Sequence, residues 1–242
     1  MIEIKNLNLK INNKKILNGI SLTLSEGIHG VLGPNGAGKT TLFRCLAGVY
    51  GDYTGSIKIT NATGENLKYS IGYLPQKFSL ISDLKLYECM EYFALIKGII
   101  KGRNEEIHRC LEMVNLDAYS ERKCKELSGG MIRRAGIAQA IMGKPSLILF
   151  DEPTVGLDPE ERMRFKKICA GIEKQSVVLM STHVVEDVTV CCDDILVMFE
   201  GRIIFEGEES ELIGRGLCID AHSKSTENGY LSVISAARKI SE

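Results

Sequence analysis

The sequence predicts an α/β protein whose core carries a mostly parallel sheet, with an antiparallel β subdomain at the N-terminus and an inserted helical subdomain. Three observations lead there. Apolar residues alternate along the first 24 positions, the spacing of half-buried strands. Between Ser82 and Gly143 the apolar period becomes that of helices. From Ser146 to Met180 a strand, helix, strand alternation returns, the pattern of a parallel sheet.

Taken in order, Ile2, Ile4, Leu7, Leu9 and Ile11 form one strand and Ile20, Leu22 and Leu24 a second, with Asn12-Asn13 as the turn between them. Ile28 to Leu32 is a short buried strand, followed by a Gly-rich turn and a helix that Gly48 stops. Ile57-Lys58-Ile59 adds a strand. Leu86, Met90, Phe93 and Ile100 then share a helix face, with Ser82 or Asp83 as the cap. Asn104 caps a second helix through Ile107, Cys110, Leu111 and Val114, and Ser128 a third that reaches Gly143. Ser146 to Phe150 and Val177 to Met180 are strands around a helix from Asp158 to Gly171. Ile195 to Phe199 and Ile203 to Phe205 make a hairpin around Glu200-Gly201-Arg202, and the stretch Ser223 to Gly229 is expected to be a loop. The expected organisation is a core with its β subdomain in 1–76 and 146–210, a helical subdomain in 77–145, and an extension without assigned role in 211–242.

Composition narrows the function. Lys plus Arg number 30 and Asp plus Glu 31, so the net charge is 30 − 31 = −1 and no basic excess draws in nucleic acid. The longest apolar runs, such as Leu147 to Phe150, fall far short of the ~20 residues of a membrane-spanning helix. The start Met1-Ile2-Glu3-Ile4 has no signal-peptide zones, so a cytoplasmic location is expected. Eight cysteines without a Cys-x-x-Cys pair argue against a zinc site or a disulfide framework.

Gly33-Pro34-Asn35-Gly36-Ala37-Gly38-Lys39-Thr40, followed by Thr41, fits Gly-x4-Gly-Lys-Thr between a strand and a helix, the context in which that motif cradles a polyphosphate. Glycines let successive amides reach phosphate oxygens, and the following helix adds the positive end of its dipole. Lys39 is placed to neutralise the β and γ phosphates and the Thr40 hydroxyl to hold Mg²⁺. Leu147-Ile148-Leu149-Phe150-Asp151-Glu152 ends a buried strand on two carboxylates. Strand geometry points neighbours to opposite sides, so Asp151 is expected to face Mg²⁺ and Glu152 to polarise a water. Alone, such a pair reads as a solvated strand end; the phosphate loop upstream reverses that weighting, because the metal needs a second anchor.

With Leu127-Ser128-Gly129-Gly130-Met131 added, the sequence resembles the ATP-binding cassette subunits of ABC transporters, over roughly residues 2 to 210. The resemblance implies ATP and Mg²⁺ as ligands and a head-to-tail dimer, homomeric or with a paired cassette subunit, in which Ser128, Gly129 and Gly130 complete the opposite subunit's site. It further implies that Gln76 approaches Mg²⁺ and the attacking water, that Asp158 lies on the loop crossing the dimer interface, and that His183 contacts the γ phosphate. It implies hydrolysis that drives a separate transmembrane permease subunit, of the exporter type, from the cytoplasmic face of the membrane. Docking is expected at Phe78, Leu80, Ile81 and Tyr87, the alternative being internal packing.

Three departures stand out: Met131 where the family usually has Gln, Val155-Gly156 for a commoner Ser-Ala, and Ile11 where the family's adenine-stacking aromatic is expected. No Phe, Tyr or Trp precedes Phe43. A soluble ATPase of the same family acting on ribosomes or other non-transport machinery is the alternative; the 128 − 39 = 89 positions between Lys39 and Ser128 hold no heptad run for the long coiled coil such relatives carry. A P-loop kinase would leave Ser128 to Gly130 and His183 without a task.

Overall fold

The computed structural model describes residues 1–60, 71–172, 176–216 and 225–241. β1 (Ile2–Ile11) and β2 (Lys14–Leu24) pair antiparallel through Asn12 and Asn13, whose φ of 48° and 62° give the left-handed pair a two-residue hairpin turn requires. β3 (Gly27–Leu32) runs into the phosphate loop and α1 (Lys39–Leu46), and β4 (Thr54–Ile59) returns to close a sheet of order β2-β1-β4. Then come β5 (Ile71–Leu74), α2 (Leu86–Ile96), α3 (Arg103–Met113) and α4 (Gly129–Ile141). β6 (Leu147–Asp151), α5 (Pro159–Gly171), β7 (Val177–Thr182), α6 (Val185–Cys191) and the hairpin β8 (Asp194–Phe199) and β9 (Arg202–Gly207) follow. The second sheet has the order β5-β6-β7-β3-β8-β9 and is parallel except for that hairpin. α7 (Glu209–Gly216) and α8 (Thr226–Ser241) end the described chain.

β6 is the hinge of the packing because both its faces are apolar and buried. Leu147 and Leu149 join α1 and the N-terminal β layer, while Ile148 and Phe150 join the core of α2, α3, α4 and α5. The period of two thus divides one strand between two hydrophobic cores, each such side chain contributing about 1.5–3 kcal/mol on burial. Phe150 meets Phe165 of α5 edge to face at 5.6 Å.

Four local expectations need correction. α2 begins at Leu86 with Lys85 at its cap position, two or three residues later than expected. Ser82 and Asp83 instead form a turn closed by Leu84 N–H on the Ile81 carbonyl (3.2 Å), and extended Lys85 follows; Cys124 N–H donates to the Leu84 carbonyl (2.9 Å) and Lys125 N–H to that of Ser82 (3.0 Å), while the Glu88 carboxylate accepts from Lys85 N–H (2.7 Å). α3 is entered through Gly102 at φ 65°, so Asn104 lies inside it and accepts from the Tyr87 hydroxyl (2.9 Å) rather than capping. β5 was not expected at all. Its Gly72 is required because α4 crosses so closely that a Cβ there would lie 1.9 Å from the Ala140 carbonyl oxygen.

The fourth correction concerns the extension. Ser225 to Gly229 belong to the start of α8: Gly229 N–H donates to the Ser225 carbonyl and Asn228 N–H to its hydroxyl; positions 223 and 224 of the expected loop lie outside the described residues. α7 and α8 are part of the body, with Leu212 and Ile234 buried against Leu32, Ile195, Val197 and Phe205.

Candidate active site

Gly33 leaves β3 pressed against β8, where a Cβ would stand 2.2 Å from the Met198 carbonyl oxygen. Only glycine fits, and the loop is thereby fixed in depth. Gly36 and Gly38 take φ of 82° and 107°, conformations that glycine adopts without strain. The Lys39 side chain, 6% exposed, folds back so that Nζ donates to the carbonyls of Gly33 (2.5 Å) and Pro34 (3.2 Å). Burial lowers its pKa, opposed by the charges of Glu152 and Asp151. Asn35 and Gly36 remain exposed on a cleft of about 670 Å³, which Pro34 and Ala37 also line; its other walls are Lys14 to Ile16 of β2, the Phe199 to Gly201 turn and Arg238 of α8. Thr41 follows half-buried in α1.

Asp151 is fully buried at the end of β6. Its Oδ1 accepts from the Thr40 hydroxyl (3.1 Å) and the Ser181 hydroxyl (2.7 Å), and its Oδ2 has no hydrogen-bond partner among the described residues. An orphaned buried carboxylate oxygen is costly. Beside a threonine hydroxyl it makes an oxygen donor set suited to Mg²⁺, so the residues present fit that ion. The charge of Asp151, after burial itself, also raises the pKa of Tyr73.

Glu152 does not continue the strand. Its φ of 52° turns the chain left-handed, and its N–H donates to the Ser181 hydroxyl (2.9 Å). The two carboxylates consequently do not diverge as the pleat alone implies: Glu152 Oε1 lies 3.5 Å from Lys39 Nζ, on the same site as Asp151, and Oε2 is 2.9 Å from His183 Nδ1. The His183 ring is exposed.

Lys39, Thr40, Asp151, Glu152 and His183 are thus brought together directly. Exposed Gln76 joins them at a second cleft, of about 520 Å³, that it lines with Gly129, Gly130, Glu152 and Gly156. This cleft shares no lining residue with the one at Asn35 and Gly36. Ser128 caps α4, its hydroxyl accepting from Met131 N–H (3.2 Å), and Asp158 caps α5, its Oδ1 accepting from Glu161 N–H (2.8 Å). Ile11 sits across from Lys14 at the first hairpin, half-buried against the β-layer core, and does not line the cleft that Lys14 borders.

Two residues of the site escaped the sequence reading. Ser181 is brought to Asp151 by the parallel register of β6 and β7, in which the two are paired; its signal was a hydroxyl at the end of a buried strand, two residues before His183. Arg133 of α4 reaches the backbone on both sides of the site, and its signal was a charge amid the small and apolar residues of that helix.

A glycine cradle with a buried lysine at the head of a helix, on a parallel sheet whose neighbouring strands end on Asp151 and His183, defines a P-loop nucleoside triphosphatase. The family model for the ABC transporter matches residues 17–155. The uncharacterized ABC transporter ATP-binding protein YxlF of Bacillus subtilis (strain 168) is 34% identical over 214 residues, 88% of this chain and 72% of the relative. The Nod factor export ATP-binding protein I of Burkholderia lata is 32% identical over 219 residues, again 88% and 72%. Among solved structures, an ATP binding subunit of an ABC transporter superposes with a TM-score of 0.78 at 23% identity, covering 97% of this chain and 99% of that one. The dimeric bacterial ABC transporter cassette MJ0796 gives 0.73 at 25% identity, covering 86% and 98%. The chain belongs to the ABC transporter family, as an ATP-binding, ATP-hydrolysing subunit. Subunits of this kind dimerise and pair with transmembrane components, and these relatives give no support to the ribosomal alternative.

Proposed function

We propose that this subunit hydrolyses ATP at two composite sites of a head-to-tail dimer, and that hydrolysis drives export through a separate transmembrane permease at the cytoplasmic face of the membrane. The observation that carries the dimer is the separation of the two clefts: Gly129 and Gly130 line one, with Gln76 and Glu152, and Pro34 to Ala37 the other, so the LSGG segment does not share a cleft with the phosphate loop of its own chain and that loop's partner segment is supplied by a neighbouring chain. Export rests on likeness to relatives such as the Nod factor export ATP-binding protein I. No helix among the described residues is long and apolar enough to cross a membrane, which leaves that task to the partner.

Thr40, Asp151 and Gln76 would hold Mg²⁺, which when bound offsets phosphate charge. The amides of Gly36 to Thr41 seat the β and γ phosphates, and Lys39 exchanges the Gly33 and Pro34 carbonyls for phosphate oxygens. Glu152 takes a proton from the attacking water while His183, bonded to its carboxylate, fixes the orientation of that base and meets the γ phosphate. Phe78, Leu80 and Tyr87 are packed against the helical core, so of the expected docking residues Ile81, 51% exposed, faces solvent; Tyr92, Leu95 and Ile96 of α2 extend the exposed apolar surface offered to the permease.

Mixing two inactive variants tests the dimer. Lys39→Ala disables one half of each site and Gly130→Asp the other, so a heterodimer of the two holds one intact site, and an equimolar mixture should recover about a quarter of the wild-type ATPase rate. A site made within one chain would recover none.

A further inference from the structure

The geometry points to Arg133 as a positioning residue that couples the orientation of the LSGG helix to the placement of Glu152. Ser128 caps α4, and Arg133 lies five residues on, in the same end of the helix as the LSGG segment. Its guanidinium donates to five backbone carbonyls. Nε reaches Pro153 (3.1 Å), Nη1 reaches Pro75 (3.0 Å) and Gln76 (3.1 Å), and Nη2 reaches Asp151 (2.8 Å) and Glu152 (2.5 Å).

Those carbonyls belong to the two segments that carry the candidate reactive groups. β5 and β6 pair up to Leu74 and Phe150, and beyond that last pair the strands part toward Gln76 and Glu152. Arg133 therefore takes over where the sheet's own hydrogen bonds stop. A planar fork of donors suits this task, since it can hold acceptors on two chains at fixed separation. The grip has a second effect at Glu152. A non-glycine residue at φ 52° is held there only by its surroundings; Ser181 fixes its N–H and Arg133 its carbonyl, and together they aim the carboxylate at Lys39 and His183.

The neighbouring Arg134 makes a different set of contacts from the same helix. It is buried, donates to the carbonyls of Val114 and Asn115 at the end of α3 and pairs with Glu161 of α5 (3.2 Å), so it ties α4 to two other helices. Arg133, by contrast, spans the helix that serves the partner's site and the backbone of its own site. Rotation of α4 would displace Glu152 through the three bonds to Asp151, Glu152 and Pro153, and Gln76 through the two to Pro75 and Gln76, and resetting of Glu152 would turn α4. In the dimer of the proposed function, on which this inference rests, each chain's Arg133 links the two ATP sites.

Arg133→Lys keeps the charge but has one nitrogen to share among acceptors on two segments, and Arg133→Gln removes the charge. Both should lower kcat by about tenfold to a hundredfold, the usual effect of a misplaced reacting group, with KM for ATP and the affinity for ADP changed by no more than about twofold. Wild-type kcat in Arg133→Lys, or losses of ADP affinity that match the loss of kcat, would overturn the assignment. The mixture of Lys39→Ala and Gly130→Asp chains separates coupling from a local effect. Its one intact site takes Glu152 from the Gly130→Asp chain and the LSGG helix from the other. Arg133→Lys should slow that site when placed in either chain; slowing only from the chain that supplies Glu152 would refute the coupling. Failure of the unmodified mixture would count against the dimer and not against Arg133.

Discussion

Glu152→Gln should tighten nucleotide binding while it removes hydrolysis, and the structure sets the size of both effects. Lys39 Nζ faces Glu152 Oε1 at 3.5 Å, with side-chain exposures of 6% and 5%. With an effective dielectric constant of about 20, their attraction is 332/(20 × 3.5), or about 5 kcal/mol, before desolvation is counted. Desolvation offsets most of it, and a charged hydrogen-bonding pair keeps a net of about 1.5 kcal/mol. Phosphate oxygens must displace that interaction to reach Lys39. Replacing the carboxylate by an amide of the same shape lifts the competition, so MgADP affinity should rise about tenfold. Loss of the general base should cut kcat by about 10²–10⁴. A pH signature accompanies this. Burial lowers the Lys39 pKa and Glu152 opposes the shift, so without Glu152 the ammonium loses its proton at lower pH. Phosphates favour the protonated form, and affinity should therefore begin its alkaline decline at lower pH in the variant. Titration calorimetry with MgADP over a pH series measures both effects. An unchanged or weaker affinity at neutral pH would show that Glu152 does not restrain Lys39.

His183→Ala should lower kcat about tenfold or more and leave ADP affinity within about twofold, since the ring touches Glu152 and no phosphate-loop residue; a large loss of ADP binding would make the ring a structural support. Without an aromatic before Phe43, ATP and GTP should be hydrolysed at rates within about tenfold, and Ile11→Tyr should strengthen binding by about 0.5–1.5 kcal/mol if the β1–β2 turn meets the base. A hundredfold preference for ATP in steady-state rates would move base recognition elsewhere, for instance to Ile16 or Phe199 in the cleft. Lys97 caps α4 by donating to the Gln139 and Met142 carbonyls, and burial lowers its pKa to about 8, with Cys110 and Glu106 opposing. The unfolded chain holds that proton up to the ordinary 10.5, so the penalty is present below pH 8 and lifts as pH rises from 8 to 10.5. At about 1.4 kcal/mol per unit it amounts to about 3 kcal/mol. Urea unfolding of wild type and Lys97→Met should show their stability difference moving toward wild type over that window; a constant difference would refute the buried ammonium.

What the sequence made legible is what neighbouring residues decide among themselves. The Asn12-Asn13 and Glu200-Gly201 turns, the Ser128 and Asp158 caps and the strand to helix context of Gly33 to Thr40 all depend on residues a few positions apart. The illegible parts depend on distant ones. Ser82 has a good capping side chain, but Cys124 and Lys125 bond the Leu84 and Ser82 carbonyls and hold its turn outside the helix. β5 is four residues long and contains a glycine whose reason is the Ala140 carbonyl. Asp151 and Glu152 read as diverging because strand alternation was extended one residue too far, past the point where the backbone turns left-handed. Arg133 carried no local signal of its acceptors, which lie 18 to 58 residues away in the chain.

The meeting of α7 and α8 turns a small fault in packing into a large one at a distance. The two helices touch backbone to backbone: a Cβ on Gly229 would lie 2.0 Å from the Leu212 carbonyl oxygen, and one on Gly216 would lie 2.7 Å from Gly229 N. α8 continues from that fulcrum to Arg238 at the phosphate-loop cleft, nine residues on and about 13 Å along the axis. A tilt of about 10° at the crossing swings that end by about 2 Å, within the usual scatter of helix crossing angles. One methyl group at position 229 is therefore enough to shift a wall of the cleft beside the phosphate loop, whose width is written in the absence of a side chain.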